Sequence, residues 1–542
     1  MQKISFLPVK IFIFFIGFML VTVQFTHAQS EYLPYSYQFN QKFNSSVYSI
    51  SNGLHTSLKP FIIDSALRPR YNEIMSVGVD TGRKSWVPRK LFNEHLFDIK
   101  TKEYTFFADY LTNFQFGQDV TDKLKTNINT RGYQIGGTVG DKFYFYTSGY
   151  ENQGKFATYL DQYITKIDFV PGQGYDRNAS FGASGGRSKD WSYATAILSY
   201  SPSKKLNFTL GYDKTFIGDG YRSLLLSDFS ANYPLFRITA NLGHVQYMLM
   251  WAYLEDIGLP KFDSQGSNRR KYAAFHYLDW NISKRVSLGF FNALIAGEAD
   301  DYGNYHGFDA NYVNPLFFSS SLGPSGLQPD KVLVGFTGKY KIFDKTAIYG
   351  QLLIDRFKSS NFFNSTNADN TNGMQIGLRG ADLFGAKNLN YLFEYNTVKP
   401  YTYTSGQGIT AYTQYSEPLG HPLGANFKEY LGILNYSIGR LDIMGQVNYA
   451  QYGLDPQGAN FGRNISLPYS PSTATTTTVG QGISTQLYFG EGTISLLINP
   501  KYNLHLEASA LFRYEKNSIG SYNTQVISFG INSSFRNLYK DF

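Results

Sequence analysis

From Leu206 to Lys214 the chain alternates long or bulky side chains with small or polar ones. Leu206, Phe208, Leu210, Tyr212 and Lys214 share one parity, and Asn207, Thr209, Gly211 and Asp213 share the other. Successive side chains of a strand point to opposite faces, so this run predicts a strand between two different solvents. The pattern recurs. In 389–396, Leu389, Tyr391, Phe393 and Tyr395 oppose Asn390, Glu394 and Asn396; in 346–356, Ile348, Leu352 and Ile354 oppose Tyr349, Gln351 and Asp355. In 504–514, Leu504, Leu506, Ala508, Ala510, Phe512 and Tyr514 oppose His505, Glu507, Ser509 and Arg513. Further strands are expected over 104–116, 133–140, 143–150, 191–200, 236–242, 245–254, 272–280, 286–295, 332–340, 374–379, 430–438, 441–452, 483–488 and 525–535. The total is about eighteen, an even number in the range of closed membrane barrels.

A soluble sandwich also alternates, and the flanking sequence separates the two. Lys3 and Lys10 precede an apolar run from Ile11 to Phe25, followed by Thr26, His27 and Ala28. That order predicts a secretory signal peptide over 1–28, cleaved before Gln29. The run is short for a membrane anchor, and no later stretch is apolar enough for a membrane helix, so any membrane crossing is by strands. The 44 Tyr and 45 Phe suit a barrel wall with aromatic girdles. With no Cys in the chain, disulfides, thiol nucleophiles and thiolate metal sites are all excluded. The polar parity then faces a lumen. Asp213, Asp355, Glu394, Glu507 and Arg513 are expected inside, because a charge on the lipid face near the midplane costs ~2 to 4 kcal/mol.

Residues 29–103 break the pattern with Gly53, Pro60, Pro69 and Pro88 among mixed charges, and are expected to form short helices and loops that plug a barrel mouth or cap it from the periplasm. Residues 104–542 form one outer-membrane barrel domain. Its long polar connections, 297–330, 357–372 and 453–480, are expected outside the cell. The formal charge of +8 falls to +6 when Lys3 and Lys10 leave with the leader. The basic residues are dispersed, which speaks against nucleic acid as a partner; acidic lipid or polysaccharide fits the excess better.

Four stretches go beyond generic barrel character: Phe216 to Asp228, Asp309 to Phe317, Tyr349 to Asp355 and Glu394 to Tyr403. Together with Arg89 to His95 and Asn499 to Asn503, they make the chain resemble the Wzi-like capsule-assembly outer-membrane family and, more closely, the related gliding-motility RemB proteins. The resemblance covers most of the chain. It implies an all-β transmembrane barrel of about eighteen strands that binds or organises surface polysaccharide, or supports surface motility, without catalysis. The implied partners are outer-membrane lipid, surface polysaccharide and, during biogenesis, the outer-membrane assembly machinery; no cofactor or metal is implied.

Within these stretches Gly218-Asp219-Gly220 reads as a turn. A phosphate cradle would need a following helix and Lys. Asp219, Tyr221, Arg222 and Asp228 are candidate polysaccharide contacts. Arg222 and Asp228 share strand parity, and once inside they need partners to offset desolvation. Asp309, Tyr312 and Asn314 combine polar groups with an aromatic face, as sugar recognition requires, and are equally an Asn-Pro turn before Pro315. Tyr401 and Tyr403 are sugar platforms or girdle residues. No HExxH or GxSxG pattern supports an enzyme, and His421 is expected to be a loop residue with ordinary hydrogen bonds. The alternative function is a solute channel, since about eighteen strands can enclose an aqueous pore. Phe542 matches the terminal aromatic of assembled barrels, but Asn537, Leu538 and Lys540 break phase. Either a bulge or a free tail over 539–542 is expected.

Overall fold

The computed structural model describes residues 31–32, 34–180, 187–258, 261–263, 266–308, 310–314, 331–357, 370–469, 478–533, 536 and 538–542. The expected leader lies outside the described residues. Eighteen antiparallel strands close into one barrel. They are β1 (Tyr104–Asp119), β2 (Leu124–Val139), β3 (Phe143–Lys155), β4 (Ser188–Ser203), β5 (Leu206–Asp213) and β6 (Tyr233–Asn241). Then follow β7 (Val245–Asp256), β8 (Arg269–Asn281), β9 (Val286–Gly297), β10 (Lys331–Phe343), β11 (Thr346–Arg356) and β12 (Thr371–Gly380). The last six are β13 (Leu389–Val398), β14 (Phe427–Ile438), β15 (Leu441–Leu454), β16 (Ile483–Asn499), β17 (Leu504–Lys516) and β18 (Ser521–Asn532). Closure comes from β18 on β1, over the register Val526↔Asp119 to Asn532↔Asn113. Below that, the short strand Phe97–Lys100 takes over as the neighbour of β1.

Every strand expected from alternation is present, and the faces are as read, with departures at two strand ends. Leu504, expected on the lipid side, is buried beside Tyr502, and Lys214 lies past the end of its strand and is buried on the Asp228 carbonyl (2.9 Å). Leu210, Phe393, Leu506 and Phe512 are exposed on the outer face, whereas Asn207, Thr209, Asp213, Glu394, His505 and Arg513 are buried inside. Tyr395, Tyr430, Tyr449, Tyr488 and Tyr514 stand on five consecutive strands with neighbouring ring centroids 4.8, 6.3, 4.9 and 6.3 Å apart, one arc of an aromatic girdle. Strand ends differ from expectation. β2 begins at Leu124 rather than near Tyr133 because residues 124–132 are polar on both parities, and β16 runs on through Gly490 and Gly492 to Asn499.

The connections sort by length. Those leaving β3, β5, β7, β9, β11, β13 and β15 are the long ones and share one mouth; the opposite mouth has short turns such as 204–205, 344–345 and 439–440. The segment before β1 covers this short-turn mouth. Its short helices bury Phe39, Phe43, Val47, Tyr48, Ile63, Leu67, Ile74 and Met75 together. It is tied to the rim by Lys42 on Asp442 (2.8 Å), by the Ser49 hydroxyl on Asp344 (2.9 Å) and by Asn499 donating to the Lys90 carbonyl (3.0 Å).

The segment after β18 corrects an expectation. The strand stops at Asn532, and the tail over 539–542 is not free: Tyr539, Asp541 and Phe542 are buried in the lumen. Residues 538–542 lie inside the barrel, so alternation between lipid and lumen no longer applies to them.

Candidate functional site: a closed lumen and an aromatic outer face

The connection from β5 to β6, residues 214–232, dives from the long-loop mouth into the lumen. There Phe216 and Ile217 pair antiparallel with Lys59 and Leu58 of the cap. The Gly-Asp-Gly turn permits this approach. Gly218 has φ +141, and a Cβ on it would collide with the Gln351 amide nitrogen; one on Gly220 would collide with Glu394 Oε2. Asp219 accepts hydrogen bonds from Tyr48 (2.7 Å), Thr56 (2.5 Å) and Ser57 (2.8 Å) of the cap. Burial alone would raise its pKa, but Lys339, Lys59 and these hydroxyls hold it well below the usual carboxylate range. Burial also pushes Lys59 down to about 7, against the opposing pull of Asp219.

Arg222, 1% exposed, is the centre of a second knot. It pairs with Glu429 (3.1 Å) and with Asp541 (3.0 Å), which lies in the segment after β18. Tyr221 donates to the same Asp541 (3.0 Å), and Tyr539 donates to Asp228 (2.7 Å). Arg222 and Asp228 therefore both find partners, but not each other. His421 is more than a loop residue: it is buried, and its ring nitrogen meets Glu429 at 2.8 Å. Burial lowers its pKa, with Glu429 opposing.

The remaining inward charges are also engaged. Asp213 takes the Tyr32 hydroxyl (3.0 Å) and pairs with Arg536; Asp355 pairs with Lys331 and takes the Tyr403 amide (2.7 Å). Glu394 accepts the amides of Tyr221 (3.0 Å) and Arg222 (3.2 Å) and the Tyr349 hydroxyl (2.8 Å). Glu507 meets His505 at 3.1 Å, and Arg513 meets Glu515 at 2.5 Å.

The other candidate contacts are also internal. Tyr403 is fully buried, stacked on Tyr412 at 5.6 Å, with its hydroxyl on the Leu224 carbonyl (2.7 Å). Tyr401 is buried with its hydroxyl on the Asn460 carbonyl (2.9 Å), and the buried Tyr312 offers its carbonyl to Trp251 (3.0 Å). Asn314 is half-buried, and Asp309 lies outside the described residues. The sequence-derived set thus divides into knots that hold the lumen segments in place and residues of the loop bases.

At the long-loop mouth, different residues face solvent. Tyr302 is 88% and Tyr305 65% exposed, and Phe262 and Phe308 are also exposed. Phe262 and Tyr305 meet edge to face at 6.4 Å, and the Arg270 guanidinium lies 4.9 Å over Phe262. Asp300 orders the loop by accepting the amides of Tyr302 (2.9 Å) and Asn304 (2.8 Å). Sequence reasoning passed over this cluster, although the run Asp300 to Phe308 carries its Asp, Asn and aromatic signal in plain view. Among the described residues no three His, Asp or Glu side chains gather as a metal site.

A closed eighteen-stranded barrel with a lipid-facing apolar wall is an outer-membrane protein. Its fold is that of a solved structure described as Wzi, an outer-membrane protein involved in group 1 capsule assembly in Escherichia coli and a carbohydrate-binding β-barrel. The match has a TM-score of 0.53 at 13% identity and covers 93% of this chain and 100% of that one. OprD of Pseudomonas aeruginosa matches at TM-score 0.41 and 9% identity over 79% of this chain and 94% of its own. OccAB4 of Acinetobacter baumannii matches at 0.41 and 8% over 80% and 98%. No family model matches the chain, and no curated protein matches it.

Proposed function

We propose that this protein is a non-catalytic outer-membrane scaffold that holds cell-surface polysaccharide on its long-loop face. The observation that carries the reading is the closed lumen. Three segments far apart in sequence, the cap, the 214–232 loop and the stretch after β18, lock together inside the barrel through Asp219 and Arg222. A solute channel would fill its lumen with water instead. The Phe262–Tyr305 pair with Arg270 over it, and the exposed Tyr302 in the loop ordered by Asp300, offer stacking faces and polar groups, the combination that sugar rings and hydroxyls require. Capsule attachment and a supporting role in gliding motility both belong to this reading, and the sequence resemblance favours them. The cap is then periplasmic, because in outer-membrane barrels the short turns face the periplasm.

Two measurements on the purified barrel test it. In planar bilayers the intact protein should be electrically silent, and steady large conductance would return it to the porins. On an array of the organism's own surface polysaccharides it should retain at least one, and the double substitution Tyr302→Ala, Tyr305→Ala should weaken that binding about tenfold, the loss of one or two stacking contacts. A silent barrel that retains no glycan overturns the proposal.

A further inference from the structure

Between the cap and the wall of β4 to β7 lies a cavity of about 970 Å³. That is the size of a small-ligand site. Asp141, Lys204 and Gly243, from three short turns, mark its rim, so it belongs to the mouth opposite the aromatic cluster. Its two sides differ in chemistry. The cap side mixes apolar Leu54, Leu58 and Phe61 with His55, Asp64 and Arg68; the barrel side is mostly polar, with Arg237, Thr239 and Gln246.

The polar side has unfilled hydrogen-bonding capacity. Arg237 is 1% exposed, donates through Nη1 to Thr215 (3.1 Å) and lies 5.4 Å over the Tyr32 ring, yet its Nε finds no acceptor. Among the described residues no carboxylate pairs with it, and the neighbouring Asp213 is taken by Arg536 and Tyr32. Thr239 Oγ1 and Gln246 Oε1 are also buried without partners. Buried polar atoms are normally satisfied, and a buried guanidinium without a counterion is costly. Elsewhere on the lining the charges are already engaged: His55 holds Asp279 (2.7 Å), Arg68 holds Glu31 (2.5 Å), and Asp64 accepts the amides of Ala66 (2.9 Å) and Leu67 (3.1 Å).

The geometry points to a second ligand site, at the short-turn mouth, for a short acidic oligosaccharide. Its carboxylate would meet Arg237, its hydroxyls Thr239 and Gln246, and its apolar ring faces Leu58 and Phe61. Lys204, exposed on the rim, would draw the anion in. This site is separate from the long-loop face and does not depend on polysaccharide being held there.

Calorimetric titration of the intact protein in detergent with trigalacturonate, maltotriose and inorganic phosphate tests the inference. Trigalacturonate should bind, maltotriose and phosphate at least tenfold more weakly, and the Tyr302→Ala, Tyr305→Ala variant should bind it unchanged. Arg237→Gln and Thr239→Val should each weaken binding about tenfold. Because Arg237 is buried and its variant can fail to fold, Lys204→Glu provides a surface control: it should weaken binding about threefold, less so at high salt. No heat with trigalacturonate, equal binding of maltotriose or phosphate, affinity untouched by both Lys204→Glu and Thr239→Val, or loss of binding in the Tyr302, Tyr305 variant would each overturn it.

Discussion

Arg222 is a buried cation shared between two carboxylates, and its contribution is clearest from its removal. Replacing it with Met leaves Glu429 and Asp541 buried without the cation they share, held by hydrogen bonds such as those from His421 and Tyr221, which costs ~3 to 5 kcal/mol. The urea midpoint of the folded barrel in micelles should fall accordingly, and Asp541→Asn, which leaves Glu429 paired, should fall less. Asp219 sets an acid limit. Its folded pKa lies below the unfolded value of ~3.9, so its contribution is complete above that pH and is lost as pH falls toward the folded value. Protease cleavage of the cap should therefore stay slow at pH 5 and rise below about pH 4, and Asp219→Asn should show fast cleavage with little further change on acidification. Parity alone puts Arg222, Asp228, Glu394 and Asp355 inside. It is silent about partners, because Glu429 lies 207 residues and Asp541 319 residues from Arg222, and no local pattern records such a meeting.

The strands were legible because lipid and lumen impose opposite demands on alternate residues, and that demand repeats in every strand. Segments that enter the lumen obey no such period. The cap, the 214–232 loop and the stretch after β18 are specified by individual hydrogen bonds and close approaches, so their place was hidden although their residues stood out. Two expected outcomes belong here. Removing residues 536–542 takes away one partner each of Asp213, Asp228 and Arg222. The shortened barrel should then show intermittent conductance in planar bilayers where the intact one is silent, and its thermal unfolding should begin several degrees lower. Gly218→Val forces a side chain against Gln351 at a φ that only glycine accepts readily. It should loosen the cap, read as faster hydrogen exchange at Leu58 and Lys59, while the barrel strands keep their protection.

At the scale of the whole molecule, the outer wall decides where the protein resides. Leu210 projects from the middle of β5 to the lipid side. Leu210→Arg should cost ~2 to 4 kcal/mol of stability in the membrane. The yield of heat-modifiable barrel after folding into lipid vesicles should drop, whereas the inward neighbour substitution Thr209→Ser should leave the yield unchanged.

The junction of β18 with β1 carries a further consequence. It holds through the register Val526↔Asp119 to Asn532↔Asn113, while β1 pairs with β2 along its entire length. The chain enters the cap on one side of this junction and turns into the lumen on the other. The cap and the inward segment are thus hinged on the same short zipper. Unzipping there would release both stoppers in a single motion, so the resistance of the wall to prying and the tightness of the seal are one mechanical property of the molecule.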